Sequence, residues 1–266
     1  MTCQIIIVII LTFVIHLIST LSYSVRLVGV RTGRIAVSFA LFNIMVLISR
    51  TSNAFQAPLL AKTIEENIKS GVLNAEMDFR CILLSASFAT IIGALLIPTF
   101  QRLFSKAVIS FSVVRSVPGL LMHGFSKAGI SQFKKEFKLP DKRNLNPKIK
   151  RSEFPLRIML SNIIVVAILT VGVLSALYAG YLIPELRTTS STLSAVINGF
   201  ATILLFVFID PYLSILTDDV VAGKFSELLF RKYIVFLVAG RLIGTILAQF
   251  FLIPAAKLIA FVAELL

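Results

Sequence analysis

The chain has 266 residues, of which 57% are apolar, a mean hydropathy of +0.94 and a net charge of +13. That composition excludes an ordinary water-soluble domain, and several apolar runs approach the roughly 20 residues a helix needs to cross the hydrocarbon core. The expected fold is an all-α polytopic membrane protein of about six transmembrane helices plus an interfacial or re-entrant helix.

A basic balance suggests nucleic acid in a soluble protein. Here 13 of the 26 Lys and Arg fall between Arg102 and Arg157, so the positive-inside rule accounts for them and no nucleic-acid partner is expected. Cys3 and Cys81 form no CxxC or His-paired spacing, so neither a metal site, a disulfide framework nor a cofactor is indicated.

The first span covers residues 5–24 and carries His16, Ser19, Thr20 and Ser22. No basic residue precedes it, unlike the start of a cleavable signal peptide, so it is expected to be retained. Arg26, Arg31 and Arg34 follow, with Gly29 and Gly33 supplying a turn. Residues 35–58 form the second span, in which Arg50 lies about two-thirds of the way across, accompanied by Asn53 and Gln56. Residues 62–80 read as a mixed-charge connection with a short interfacial helix. Residues 81–100 form the third span, with Pro98 near its end.

Residues 106–125 are amphipathic and contain Pro118, which predicts an interfacial or re-entrant helix on the cytoplasmic side. Residues 127–157 hold ten basic residues against Glu136, Asp141 and Glu153. This segment divides the chain into an N-terminal membrane half (1–126, three spans plus the interfacial helix), a basic cytoplasmic loop (127–155) and a C-terminal membrane half (156–266, three spans). The fourth span covers 156–183 and ends at Pro184-Glu-Leu-Arg187. The fifth runs from about 193 to 209 or beyond and meets Asp210-Pro211. A charged loop containing Asp218, Asp219, Lys224, Glu227, Arg231 and Lys232 leads to the sixth span, 233–253, which carries Arg241 and Gln249. Six spans with both termini outside put all the basic loops in the cytoplasm. Phe88-Ala-Thr-Ile and Phe200-Ala-Thr-Ile each precede a proline, a hint of the repeated hairpins found in transporters.

An ionisable side chain at membrane depth is costly unless it faces protein or water, so such residues are the functional candidates. Arg50 and Arg241 suggest a two-rung ladder for an anionic head group, since guanidinium presents a planar fork of donors to phosphate. The alternative is that each snorkels or pairs internally with Asp210, Glu185 or a backbone carbonyl. Arg26 and Arg31 stand at the inner mouth, as topology charges or as a phosphate receptor. Asp210 is a coupling or counter-charge candidate, and His16 a titrating or a satisfied buried histidine. Asn53 and Gln56 are candidates for cargo contact or for interhelical hydrogen bonds. The sequence has no HExxH pair, no GxSxG turn and no Walker loop, so an enzyme is not expected.

Ser22-Tyr-Ser-Val-Arg26, Gly29-Val-Arg-Thr-Gly33 and Ser49-Arg-Thr-Ser-Asn53 resemble the Amj family of lipid II flippases. Tyr181-Leu-Ile-Pro-Glu185, Val196-Ile-Asn-Gly199, Ile209-Asp-Pro-Tyr212 and Thr217-Asp-Asp219 extend the similarity over essentially the whole chain. The resemblance implies a protein of the bacterial cytoplasmic membrane that moves undecaprenyl-diphosphate-linked peptidoglycan precursor (lipid II) from the inner to the outer leaflet. Its partners would be that cargo and membrane lipids, with a homo-oligomer left open. It implies no established residue set, so the expected route rests on the side chains alone: the diphosphate meets Arg26 or Arg31, then Arg241, then Arg50, in a cavity bounded by spans one, two, five and six. The competing expectations are an ion- or proton-coupled exporter of a small solute, with Asp210 as coupling residue, and a non-transporting scaffold for cell-wall synthesis.

Overall fold

A computed structural model describes residues 2–71, 75–114, 126–141 and 154–266. Its elements are α1 (Cys3–Thr32), α2 (Ile35–Lys69), α3 (Glu76–Val114), the short α4 (Lys127–Glu136), α5 (Leu156–Leu182), α6 (Arg187–Leu204), α7 (Asp210–Val221) and α8 (Glu227–Leu265). A π-turn at Leu205–Ile209 joins α6 to α7, making one rod. Among the described residues there is no strand, and six helices are long and apolar enough to cross a membrane. This is a multi-pass membrane protein.

Turn chemistry sets the first hairpin. Gly33 closes α1 at φ 65°, a left-handed conformation that favours glycine, and its N–H reaches back to the carbonyls of Gly29 and Val30. Six successive crossings then leave two unlike ends. The Gly33 turn, α4 and residues 222–226 share one, termed the basic end. The start of α1, the end of α2, the start of α3, the end of α8 and the turn at Pro184–Leu186 share the other, termed the terminal end.

Hydrophobicity does not drive helices together in lipid, so close packing and interhelical hydrogen bonds must. α1 sits centrally and contributes to three apolar clusters. Ile5 joins Leu60, Phe79, Leu174 and Leu252 toward the terminal end. Leu27 joins Ile209, Leu213, Phe230 and Leu237 toward the basic end. Val25 and Val28 meet Leu41, Phe42 and Phe104 of α2 and α3. α5 and α8 approach so closely that a Cβ added to Gly244 would stand 2.8 Å from the carbonyl oxygen of Ile163. Some hydroxyls within the spans are satisfied locally: Thr12 donates to the Val8 carbonyl at 2.8 Å and Ser19 to that of Ile15 at 2.7 Å.

Helix ends depart from the sequence expectation. α2 passes through Pro58 to Lys69 and α3 begins at Glu76, so 62–80 is no separate interfacial helix; the connection is only residues 70–75. The i,i+4 pairs Lys62–Glu66 (3.8 Å) and Glu76–Arg80 (2.6 Å) support these charged turns beyond the apolar core. α3 likewise continues through Pro98, so residues 106–114 are its last turns rather than the start of a new element; residues 115–125 lie outside the described residues. Helix α8 continues through Pro254 to Leu265.

Beside α3, the segment after α4 folds back. Lys138 N–H donates to Thr99 Oγ1 at 2.9 Å while Thr99 Oγ1 donates to the Lys138 carbonyl at 3.0 Å. Glu136 pairs with Lys106 and lies 3.7 Å from Arg102.

Candidate functional site

The polar residues of α1 divide between two faces. One is buried against α8 and α5. Arg241, only 8% exposed, donates from Nε to Thr20 Oγ1 at 3.1 Å and from Nη2 to His16 Nδ1 at 3.2 Å. A guanidinium can only donate, so Nδ1 must accept and the His16 proton belongs on Nε2. The Tyr23 hydroxyl also lies against Arg241 and donates to Asn162 Oδ1 at 2.6 Å; Asn162 Nδ2 in turn donates to the Leu237 carbonyl at 2.8 Å. This chain of bonds joins α1, α5 and α8. The polar partners it gives Arg241 carry no carboxylate.

The second face is only partly covered. Ile15, Ser19, Ser22 and Arg26 are half-buried at spacings of four, three and four, which places them on one ridge of the helix. Arg26 fixes what flanks that ridge. Its Nη2 lies 3.2 Å from Asp210 Oδ1, its Nη1 donates to Ser214 Oγ at 3.0 Å, and its Cζ stands 5.0 Å from the centre of the Phe39 ring. Asp210 and Ser214 belong to α7 and Phe39 to α2, so the ridge runs between α2 and the α6–α7 rod.

Toward the terminal end, a cavity of about 270 Å³ lies between α2, α5 and α6. Ala57, Pro58 and Ala61 line one side, Val173 and Leu177 the base, and Ser191, Thr192 and Ser194 the other side. Arg50 precedes Ala57 by seven residues and Ala61 by eleven, spacings that hold one helix face, so it is aimed along the same wall about 10 Å nearer the basic end. It is exposed, and no ion pair involving it is formed among the described residues. Beyond the cavity Glu65 and Arg187 approach to 3.6 Å, linking α2 to the start of α6.

The structure places each expected residue and changes some of the expected pairings. Arg241 does not continue a ladder with Arg50: the two stand on helices that do not pack together, and neutral partners inside the bundle occupy the Arg241 guanidinium. Asp210 is the counter-charge of Arg26 rather than of Arg241. Glu185 is exposed in the turn before α6, away from either arginine. His16 is buried as a partner of Arg241. Arg31 bonds to Glu227 at 3.0 Å and Gln101 at 3.1 Å, tying α1 to α8 and α3. Asn53 is exposed on α2 and Gln56 is buried. Sequence reasoning did not single out Tyr23, Asn162, Ser214 or Phe39. Only Asn162 carried a usable signal, as an amide standing alone in an apolar span.

Six helices long and apolar enough to cross a membrane, with Arg26 ion-paired on α1 and Arg50 exposed on α2, define the class as a six-span membrane protein that carries ionisable side chains within its spans. The chain belongs to the Amj family, described as "Alternate to MurJ", whose match covers residues 11–263. It is similar to the lipid II flippase Amj of Bacillus subtilis (strain 168), at 39% identity over 264 residues, covering 99% of this chain and 98% of the relative. No solved structure matches the chain.

Proposed function

We propose that this protein is a lipid II flippase of the bacterial cytoplasmic membrane, acting as a transporter rather than an enzyme. Family membership and the near full-length similarity support the cargo. The observation that carries the assignment is the ridge Ser19–Ser22–Arg26 facing the exposed-arginine wall of α2. A lipid-linked diphosphate needs a polar track for its head group, together with a side opening that leaves its polyprenyl tail in lipid. Ordinary packing requires neither.

The basic end faces the cytoplasm and both termini face outside, since Lys and Arg concentrate there. The head group enters at Arg26, passes Arg50 and reaches the cavity between α2 and α6, which the Glu65–Arg187 pair closes at its outer end. α2 is the groove wall of the N-terminal half, 1–126. The α6–α7 rod is the wall of the C-terminal half, 156–266.

The test is an outer-leaflet assay for lipid II in flippase-deficient cells carrying this protein. Wild type restores outer-leaflet lipid II and growth; Arg50→Ala abolishes both while expression persists. Arg50→Lys also impairs them, because the planar fork is lost. Normal growth of Arg50→Ala would remove Arg50 from the route. Failure of the wild-type protein to raise outer-leaflet lipid II would leave the small-solute exporter or the scaffold.

A further inference from the structure

Two of the three groups that hold Arg26 stand on the first turns of α7, directly after an irregularity in the rod. The π-turn Leu205–Ile209 inserts an extra residue into the helix, and such single turns recur at functional sites. Asp210 is the first residue after it, and Pro211, at the next position, has no N–H to donate to the bonding across the junction. Cover at the junction is thin: Phe206, Val207 and Phe208 are all exposed and only Ile209 is buried. The angle between α6 and α7 is therefore set by what α7 touches: Leu213, Leu216 and Val220 pack in the apolar cluster with Phe230 and Leu237, and Arg26 is its charged contact on α1.

That contact is incomplete as an anion site. Guanidinium has five N–H donors, of which Asp210 takes one and Ser214 another. The Asp210 contact is single and 3.2 Å long, whereas a charge-assisted bond of this type is commonly about 2.7–2.9 Å. Arg26 keeps 12% of its side chain exposed, and Ser22, one turn away on the same ridge, is also half-buried.

We propose that Arg26 is the receptor for the cargo's diphosphate and that Asp210 is its built-in stand-in, so that cargo binding and release of the α6–α7 hinge are one event. This rests on the flippase assignment. A phosphate oxygen arriving along the Ser19–Ser22 ridge takes the place of Asp210 Oδ1 at Nη2, and the second phosphate occupies donors that Asp210 leaves empty. A diphosphate thus outcompetes the carboxylate by engaging the fork more fully, and a monophosphate does so less well. Once Asp210 is displaced, α7 pivots about the π-turn and the α2–α7 side of the groove changes width.

The test uses the full-length chain in nanodiscs, with Cys3→Ser and Cys81→Ser removing the native thiols. Spin labels at Leu47→Cys on α2 and Ile215→Cys on α7, both exposed positions, report the distance across the groove. Undecaprenyl diphosphate is expected to shift that distance, and undecaprenyl monophosphate to shift it less at equal concentration. Asp210→Asn should show the shifted distance without ligand and bind the diphosphate severalfold more tightly. Arg26→Gln should weaken diphosphate binding at least tenfold. An unshifted distance in ligand-free Asp210→Asn overturns the latch, as does diphosphate binding to wild type without any change in distance. The two failures separate cleanly. If only the latch is wrong, the diphosphate binds and lipid II still reaches the outer leaflet. If the flippase assignment is wrong, neither happens in any variant and the proposal falls with it.

Discussion

The hydroxyl of Tyr23 on α1 donates to Oδ1 of Asn162 on α5 at 2.6 Å, across 139 residues of sequence. Asn162 is fully buried and its amide nitrogen is already committed to the Leu237 carbonyl. The bond therefore fixes how α1 is rotated against the α5–α8 pair, and with it where the Ser19–Ser22–Arg26 ridge faces.

Tyr23→Phe keeps the ring and removes the donor. The expected loss is about 0.6–2 kcal/mol, the range for an interhelical hydrogen bond whose removal strands a buried acceptor. Thermal unfolding in detergent measures it. Asn162→Leu, which also removes the stranded acceptor, is expected to differ from the double variant with Tyr23→Phe by less than either single change predicts by addition.

Arg241→Ala is expected to lower thermal stability by roughly 2 kcal/mol or more, because His16 and Thr20 lose a charge-assisted partner in a buried interface. Lipid II movement per folded molecule should fall far less than in Arg50→Ala. A variant as stable as wild type yet inactive would place Arg241 in contact with cargo.

Gly244→Val should disrupt the α5–α8 interface, since even a Cβ there would stand 2.8 Å from the Ile163 carbonyl oxygen and 2.9 Å from Val166 Cβ. The loss is expected at about 1–3 kcal/mol or more. Gly199→Ala is the control: a Cβ at that position meets nothing within 4 Å, and helix propensity predicts a gain of a few tenths of a kcal/mol up to about 1. Melting temperatures of the two should move in opposite directions.

Docking of α4 on α3 should depend on pH. The hydrogen bond from Lys106 holds the Glu136 carboxyl below its ordinary value. A depressed carboxylate pKa means that the docked state binds fewer protons than the free one. Its stabilisation is thus complete above the free value and is lost as pH falls through the docked one. Fluorescence of a probe at Ser131→Cys, titrated from neutral pH into that acid window, should report release. Glu136→Gln should flatten the titration.

Six spans could be read from the sequence because length and apolarity are local properties of a helix in lipid. Their ends could not. Lys62, Glu66, Glu76 and Arg80 look like loop residues by charge, yet paired four apart they continue helices into water. The fifth span could be followed to Ile209 or beyond, and Asp210-Pro211 left its end open; the π-turn before it takes up the break and the rod continues to Val221. Individual site residues could be recognised from the cost of polarity at depth, whereas their pairing could not. Arg26 meets Asp210 across 184 residues, and which acid an arginine finds depends on the rotation of each helix about its axis. That rotation is set by contacts such as Gly244 on Ile163, which leave no periodic signature.

The neutral surroundings of Arg241 have an electrical consequence. Hydrogen bonds to hydroxyl and imidazole steady a guanidinium without cancelling its charge, so the bundle keeps a permanent positive centre beside the groove. At an effective dielectric constant of about 20, one unit of negative charge roughly 10 Å away is attracted by about 1.7 kcal/mol. A head group in transit would feel that attraction without touching the residue. The interior field would then favour anions over cations of the same size, a selectivity filter made of potential rather than of contacts.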